Sequence, residues 1–191
     1  MTICVFASSS SRIDNEYAVA ATSLGKLLAQ TGIDVVYGGG GIGLMGRLAD
    51  AVLANGGKIT GVIPVFMKEE GWDHREVSEM IITSDMGERK KQMFALADAV
   101  VALPGGVGTL EELTEAMTLK QLGLYQGPII ILNTMNFYNS FIEFLEHMVS
   151  GHFLRYEHKG MWEIANTPEE VMVHLAKKED WLQDPRSIAK I

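Results

Sequence analysis

A chain of 191 residues that is 47% hydrophobic can bury one good core, and no run in it approaches membrane-spanning length. Its formal net charge of −8 is the wrong sign for tracking a nucleic-acid backbone or an anionic membrane, so an anionic ligand has to be met by local groups. Cys4, the single cysteine, excludes an internal disulfide and points to a reducing compartment, with the cytoplasm as the expected location.

Met1 leads directly into Ile3-Cys4-Val5-Phe6, without the basic region and long apolar stretch of a signal peptide, and a first strand is predicted over 2 to 7. It runs into Ala7-Ser8-Ser9-Ser10-Ser11, a helix near 15 to 31, a strand over 33 to 37 and a glycine turn from Gly38 to Gly46. A helix over 44 to 56 and a strand over 58 to 63 follow. The stretch from Pro64 to Ser78 carries mixed charge, a lone Trp72 and no clean period; it is long for a connection, and such loops are often lids or binding loops. Next come a strand over 79 to 83, the turn Ser84 to Lys91, a helix over 86 to 96 opened by Asp85, and a strand over 98 to 103. After the loop Pro104 to Glu112 the pattern gives a helix over 109 to 123, a strand over 128 to 132, a helix over 139 to 149 and a candidate seventh strand at 161 to 165. The capping box Thr167-Pro168-Glu169-Glu170 fixes the start of a last helix, 168 to 177. This alternation predicts an α/β, Rossmann-like, doubly wound and mostly parallel sheet of about six to seven strands with helices on both faces. Residues 1 to 180 are read as one nucleotide-binding domain, followed by a polar tail, 181 to 191, that contains Pro185.

In such a sheet the ligand lies beyond the carboxyl ends of the strands, so four turns matter: Ala7 to Ser11, Gly38 to Gly46, Ser84 to Lys91 and Pro104 to Glu112. In the last, a strand passes through glycines into a helix N-terminus, whose free N–H groups and dipole make a phosphate the natural ligand. A pure phosphate cradle has no need of Glu112 beside an anion, whereas an enzyme breaking a bond near a phosphorylated sugar does. Thr109-x-x-Glu112 also reads as a capping box; against that, Glu112 shares a helical stripe with Ala116 and Leu119, where a carboxylate is partly desolvated and more basic. Gly41-x-Gly43-x-x-Gly46 matches a dinucleotide fingerprint, but it follows the second strand, and Ile63-Pro64-Val65-Phe66 after the third lacks the acidic residue that would hold a ribose. It is read as a backbone wall facing a mononucleotide, the plainer reading being a tight turn with close helix packing. A nicotinamide-dependent oxidoreductase would need that missing anchor.

Arg89 and Lys90 sit in the first turns of their helix, where cations oppose the dipole; solvated charge is the common fate of such a pair, yet an arginine fork there can reach a phosphate or a carboxylate. Asp98 begins its strand, roughly 17 Å from the Pro104 loop, and is read as structural. The five histidines, 74, 147, 152, 158 and 174, have no ligand spacing, and no metal site is expected. Met45 and Met86 flank the presumed pocket and can touch a base.

Gly38-Gly39-Gly40-Gly41-Ile42-Gly43-Leu44-Met45-Gly46, Met86-Gly87-Glu88-Arg89-Lys90 and Pro104 to Glu112 together resemble the Lonely Guy family of cytokinin riboside 5′-monophosphate phosphoribohydrolases, over nearly the whole chain. The signature P-G-G-x-G-T-x-x-E is matched without a break, and Leu113 to Gly123 keeps the family's threonine, Thr118, and its Gln-Leu-Gly ending. Two positions depart from the family: Ala7 stands where glycine is usual, and Gly87 where histidine is usual, which leaves base preference open. Members have often been labelled lysine decarboxylases, but the sequence offers no evident pyridoxal phosphate site.

The resemblance implies hydrolysis of the N-glycosidic bond of a nucleoside 5′-monophosphate, without a cofactor, to a free adenine or N6-substituted adenine and ribose 5-phosphate. The catalytic pair falls on Arg89 and Glu112. Substrate contacts are expected from Ser8, Gly40, Met45, Met86, Lys90, Gly105, Gly106, Val107, Gly108, Thr109, Glu111 and Thr118. A homodimer is expected, with the helix after the signature loop at its interface through the Ala116 and Leu119 flank; neither nucleic acid nor membrane is an expected partner. The rival reading is a non-catalytic protein of the same fold that senses a nucleotide.

Overall fold

A computed structural model describes residues 1–177, so the tail read over 181 to 191 lies outside the described residues. Seven strands form a single sheet in the order β4-β3-β2-β1-β5-β6-β7, namely β4 (Glu79–Thr83), β3 (Ile59–Pro64), β2 (Asp34–Tyr37), β1 (Thr2–Phe6), β5 (Ala99–Ala102), β6 (Ile129–Leu132) and β7 (Glu163–Ala165). Every neighbouring pair is parallel. The short apolar runs read from the sequence are thus strands covered on both faces, which is why β5 (Ala-Val-Val-Ala) and β6 (Ile-Ile-Ile-Leu) carry no polar alternation.

Successive residues of each strand feed opposite sides of the sheet. On one side Ile3, Val5, Val35, Tyr37 and Val101 pack against α1 (Asn15–Gln30), α2 (Gly43–Ala54) and α7 (Pro168–Ala176) through Leu24, Leu28, Leu48, Val52 and Val171. On the other, Cys4, Phe6, Val36, Val100 and Ile131 meet α4 (Met86–Leu96), α5 (Val107–Gln121) and α6 (Asn139–Ser150) through Met93, Leu113, Met117 and Leu145. The winding changes sides at β1 and β5, and the crevice beyond their carboxyl ends is where this topology places a ligand.

Caps fix the helices as expected. The Asp85 carboxylate accepts from the Glu88 N–H at 2.8 Å, and the Thr167 hydroxyl accepts from that of Glu170 at 3.3 Å. Asp98 is structural: its carboxylate accepts from the Thr2 N–H and its own N–H donates to the Thr2 carbonyl, both at 2.8 Å. Three elements differ from the sequence reading. The aperiodic stretch after β3 contains a short helix, α3 (Val65–Glu69), of too few turns to carry a period, α5 starts at Val107 instead of 109, and β7 starts at Glu163 instead of 161 because a 3-10 helix runs through Met161.

Candidate active site

The β1 serine turn, the Gly38 to Ile42 turn, the end of β3 with α3, and the first turns of α4 and α5 enclose a cavity of about 560 Å³. That volume lies in the range of small-molecule sites. Arg89 and Glu112 sit in its wall, each only 7% exposed.

Arg89 reaches the wall from the start of α4, where its charge opposes the helix dipole, so its position depends on the acceptors it finds. Its Nε donates to the Val62 carbonyl at 3.0 Å, Nη1 to Glu112 Oε1 at 2.9 Å and Nη2 to the Gly38 carbonyl at 3.4 Å. The guanidinium thereby ties β3, β2 and α5 together. Glycine at position 38 leaves room for this arrangement, because a Cβ there would lie 2.1 Å from Nη2 and displace the guanidinium.

The register of α5 decides the role of Glu112. Gly106 is the N-cap and makes no side-chain cap bond, so Thr109 is already inside the helix and cannot cap it for Glu112. The capping-box reading is therefore excluded, and Glu112 points inward on the stripe it shares with fully buried Ala116. Burial pushes its carboxyl above the ordinary glutamate range; the Arg89 guanidinium pulls the other way without cancelling the shift, and Glu111 adds to it.

The two glycine turns differ in what they leave open. At the start of α2 the Leu44 and Met45 N–H groups donate to the Ser8 carbonyl at 2.9 and 3.2 Å, so the chain itself closes that helix N-terminus. The fingerprint glycines serve the same packing: a Cβ on Gly43 would meet the Ser9 backbone at 2.5 Å, one on Gly46 the Gly41 carbonyl at 2.4 Å, and one on Gly41 the Asp73 carbonyl at 3.2 Å. The plain reading thus holds for those three, while Gly38 and Gly40 before them line the cavity. At α5 the N–H groups of Val107, Gly108 and Thr109 have no intrahelical acceptor, and Gly106, Gly108 and Thr109 border the cavity. An anion is best met there.

Of the expected contacts, Ser8, Gly40, Met45, Met86, Gly106, Gly108, Thr109 and Glu111 line the cavity with Arg89 and Glu112. Four lie elsewhere. Gly105 lets Thr109 pack beneath the loop, since a Cβ there would lie 2.1 Å from the threonine hydroxyl. Lys90 pairs with Glu111 and, at 2.9 Å, with Glu115. Val107, 85% exposed, and Thr118, whose hydroxyl donates to the Thr114 carbonyl at 2.8 Å, border a separate groove. The cavity also takes Ser9 and Ser10 from the serine turn, Ile63, and Met67 and Trp72 from the long aperiodic stretch. A lone tryptophan in a polar connection was the available signal for the last; Ile63 and Met67 gave none.

A family model described as possible lysine decarboxylase matches residues 45–175. Cytokinin riboside 5′-monophosphate phosphoribohydrolase LOG of Oryza sativa subsp. japonica is 42% identical over 173 residues, covering 91% of this chain and 72% of that one. The chain belongs to the Lonely Guy family. A second relative, cytokinin riboside 5′-monophosphate phosphoribohydrolase LOG7 of Arabidopsis thaliana, is 43% identical over 152 residues, 80% of this chain and 70% of its own. Among solved structures, the structural-genomics target TM1055 superposes with a TM-score of 0.71 at 25% identity over 91% of this chain and 97% of that one. The molybdenum cofactor carrier protein of Chlamydomonas reinhardtii does so at 0.67 and 20% identity, over 91% and 94%, and shows the fold alone. The buried arginine and glutamate of this Lonely Guy chain are what its fold does not by itself require.

Removing one partner of the pair leaves the other charge buried. Arg89→Ala is expected to lower stability by about 3–5 kcal/mol, and Glu112→Gln, which keeps an acceptor for Nη1, by clearly less. Urea unfolding of the three proteins checks this; equal losses would mean that a neutral acceptor does not replace the carboxylate beside Arg89.

Proposed function

We propose that the cavity hydrolyses the N-glycosidic bond of a nucleoside 5′-monophosphate, releasing adenine or an N6-substituted adenine and ribose 5-phosphate. The observation that carries this reading is the buried Arg89–Glu112 pair set beside an open helix N-terminus in a cavity of mononucleotide size. The α5 N–H groups and Thr109 hold the 5′-phosphate, which brings the anomeric carbon near Glu112. As the C1′–N9 bond breaks, its electron pair leaves with the base and positive charge builds on the sugar. The Glu112 carboxylate stabilises that charge and orients a water; the water oxygen bonds to C1′ and its proton ends on the base. Arg89 keeps the carboxylate in place and favours its ionised form, against the burial that favours the neutral one.

The relatives' names and their identity of more than 40% support this reading. A nucleotide sensor would use the open helix N-terminus but gains nothing from a buried carboxylate. The residues of the cavity do not fit pyridoxal phosphate: none of the described residues that line it is a lysine, and fully buried Lys120 gives its ammonium to the Gly127 carbonyl instead. No helix among the described residues is long and apolar enough to cross a membrane, and the one buried thiol, Cys4, favours a cytoplasmic setting.

The homodimer belongs to the same proposal. Val107, Leu110, Thr114 and Thr118 of α5 with Phe141, Phe144 and Met148 of α6 border an apolar groove of about 530 Å³. The Ala116 flank cannot be the contact, since Ala116 is fully buried within the chain; the exposed positions bordering the groove on α5 include Val107, Leu110 and Thr118. An apolar surface of this kind, with Phe144 54% exposed, marks an association site.

Incubation with adenosine monophosphate and its N6-isopentenyl derivative is expected to release base and ribose 5-phosphate, and Glu112→Ala to lower the rate by at least about a hundredfold. Because the ionised carboxylate is the working form and its pKa is raised, kcat/KM rises with pH along a limb lying above the ordinary glutamate range. Release unaffected by Glu112→Ala would contradict the assignment. Light scattering should show a dimer that Phe144→Asp, away from the cavity, converts to monomer; a monomeric parent would end the dimer proposal.

A further inference from the structure

The cavity has two ends of different chemistry. At the β1 and β5 end lie Ser8, Ser9, Ser10 and the α5 N-terminus; at the β3 end lie Ile63, Met67 and Trp72, all apolar, and Met86 of α4 lies between, its sulfur 3.9 Å from Arg89 Nη1. Arg89 spans the two, with Nε on Val62 of β3 and Nη1 on Glu112 of α5. A phosphate at α5 with its sugar at Glu112 therefore directs the base toward the β3 end.

Trp72 stands at that end and is 54% exposed, so it contributes little to the core. Its backbone is nonetheless firmly held. The Trp72 N–H donates to the Met67 carbonyl at 3.1 Å, the Gly41 N–H to the Trp72 carbonyl at 3.0 Å and the His74 N–H to the Gly39 carbonyl at 2.8 Å, closing an antiparallel bridge between Gly40 and Asp73. The His74 ring completes the latch: Nδ1 accepts from the Glu76 N–H at 3.1 Å and Nε2 lies 3.0 Å from Asp50 Oδ1. A large apolar ring kept partly in solvent by a fixed backbone, against a cavity, is placed for a ligand.

We infer that Trp72 is a specificity-determining residue, covering with Met67 an apolar substituent on the N6 of the base and favouring such nucleotides over unsubstituted adenosine monophosphate. This rests on the glycosidase reading for where the base lies. Burial of a small apolar group against such a wall is worth about tenfold or more in discrimination.

The test compares kcat/KM for adenosine monophosphate and its N6-isopentenyl derivative in the parent, Trp72→Ala and Trp72→Phe. The expected result is a loss of about tenfold on the isopentenyl nucleotide in Trp72→Ala, a change of less than about threefold on adenosine monophosphate, and a near-parental ratio in Trp72→Phe. Equal losses on both nucleotides, or no loss on either, would overturn the inference. If the parent cleaves neither, the glycosidase reading fails, and calorimetric affinities of the same nucleotides for parent and Trp72→Ala decide separately: a selective tenfold weakening upholds the role of Trp72, and unselective or absent binding ends it.

Discussion

A guanidinium and a carboxylate taken out of water at the end of a parallel sheet are the constraint around which this site is built. Burying both charges carries a desolvation penalty that their mutual attraction offsets only if the remaining hydrogen-bonding capacity is also met. Arg89 meets it with three acceptors on three elements, the Val62 carbonyl of β3, the Gly38 carbonyl after β2 and the Glu112 carboxylate of α5. The absence of a side chain at position 38 follows from that, as does the Asp85 cap that starts α4 where its fourth residue can reach inward.

The same economy of charge governs the phosphate end. In a chain of net charge −8, α5 carries Glu111, Glu112 and Glu115 within its first turns, close to where an anion would bind. Arg89 answers Glu112, and Lys90 answers both Glu111 and Glu115. Two cations near the start of α4 oppose that helix's own dipole, an arrangement local stability would not select but one that leaves the α5 N-terminus free of uncompensated negative charge. The α2 N-terminus, closed by the Ser8 carbonyl, shows what the chain does with a glycine turn it does not need open.

Much of this was legible in the sequence. The strands were readable because each is an apolar run bounded by turn residues, and α4 and α7 because Asp85 and Thr167 cap them through side chains. Arg89 stood out as a cation placed against its helix dipole, and Glu112 through the helical stripe it shares with Ala116 and Leu119, although its letters also fit a cap. The start of α5 was obscured because Thr109-x-x-Glu112 spells a capping box, while the actual cap, Gly106, has no side chain to announce itself. The letters of a dinucleotide fingerprint likewise concealed three glycines used for backbone packing. Trp72 and α3 lie in a segment fixed by long-range backbone bonds to the Gly39 to Gly41 turn, and no local pattern encodes those partners.

If phosphate capture at α5 is what brings the anomeric carbon to Glu112, the phosphate must contribute to turnover as well as to binding. The most direct measurement is therefore the steady-state kinetics of a nucleoside 5′-monophosphate against the same nucleoside without its phosphate. The account predicts that loss of the phosphate lowers kcat/KM by about a thousandfold or more, with kcat falling too. Comparable kcat/KM values for the two would contradict it, because the open helix N-terminus would then have no part in placing the substrate.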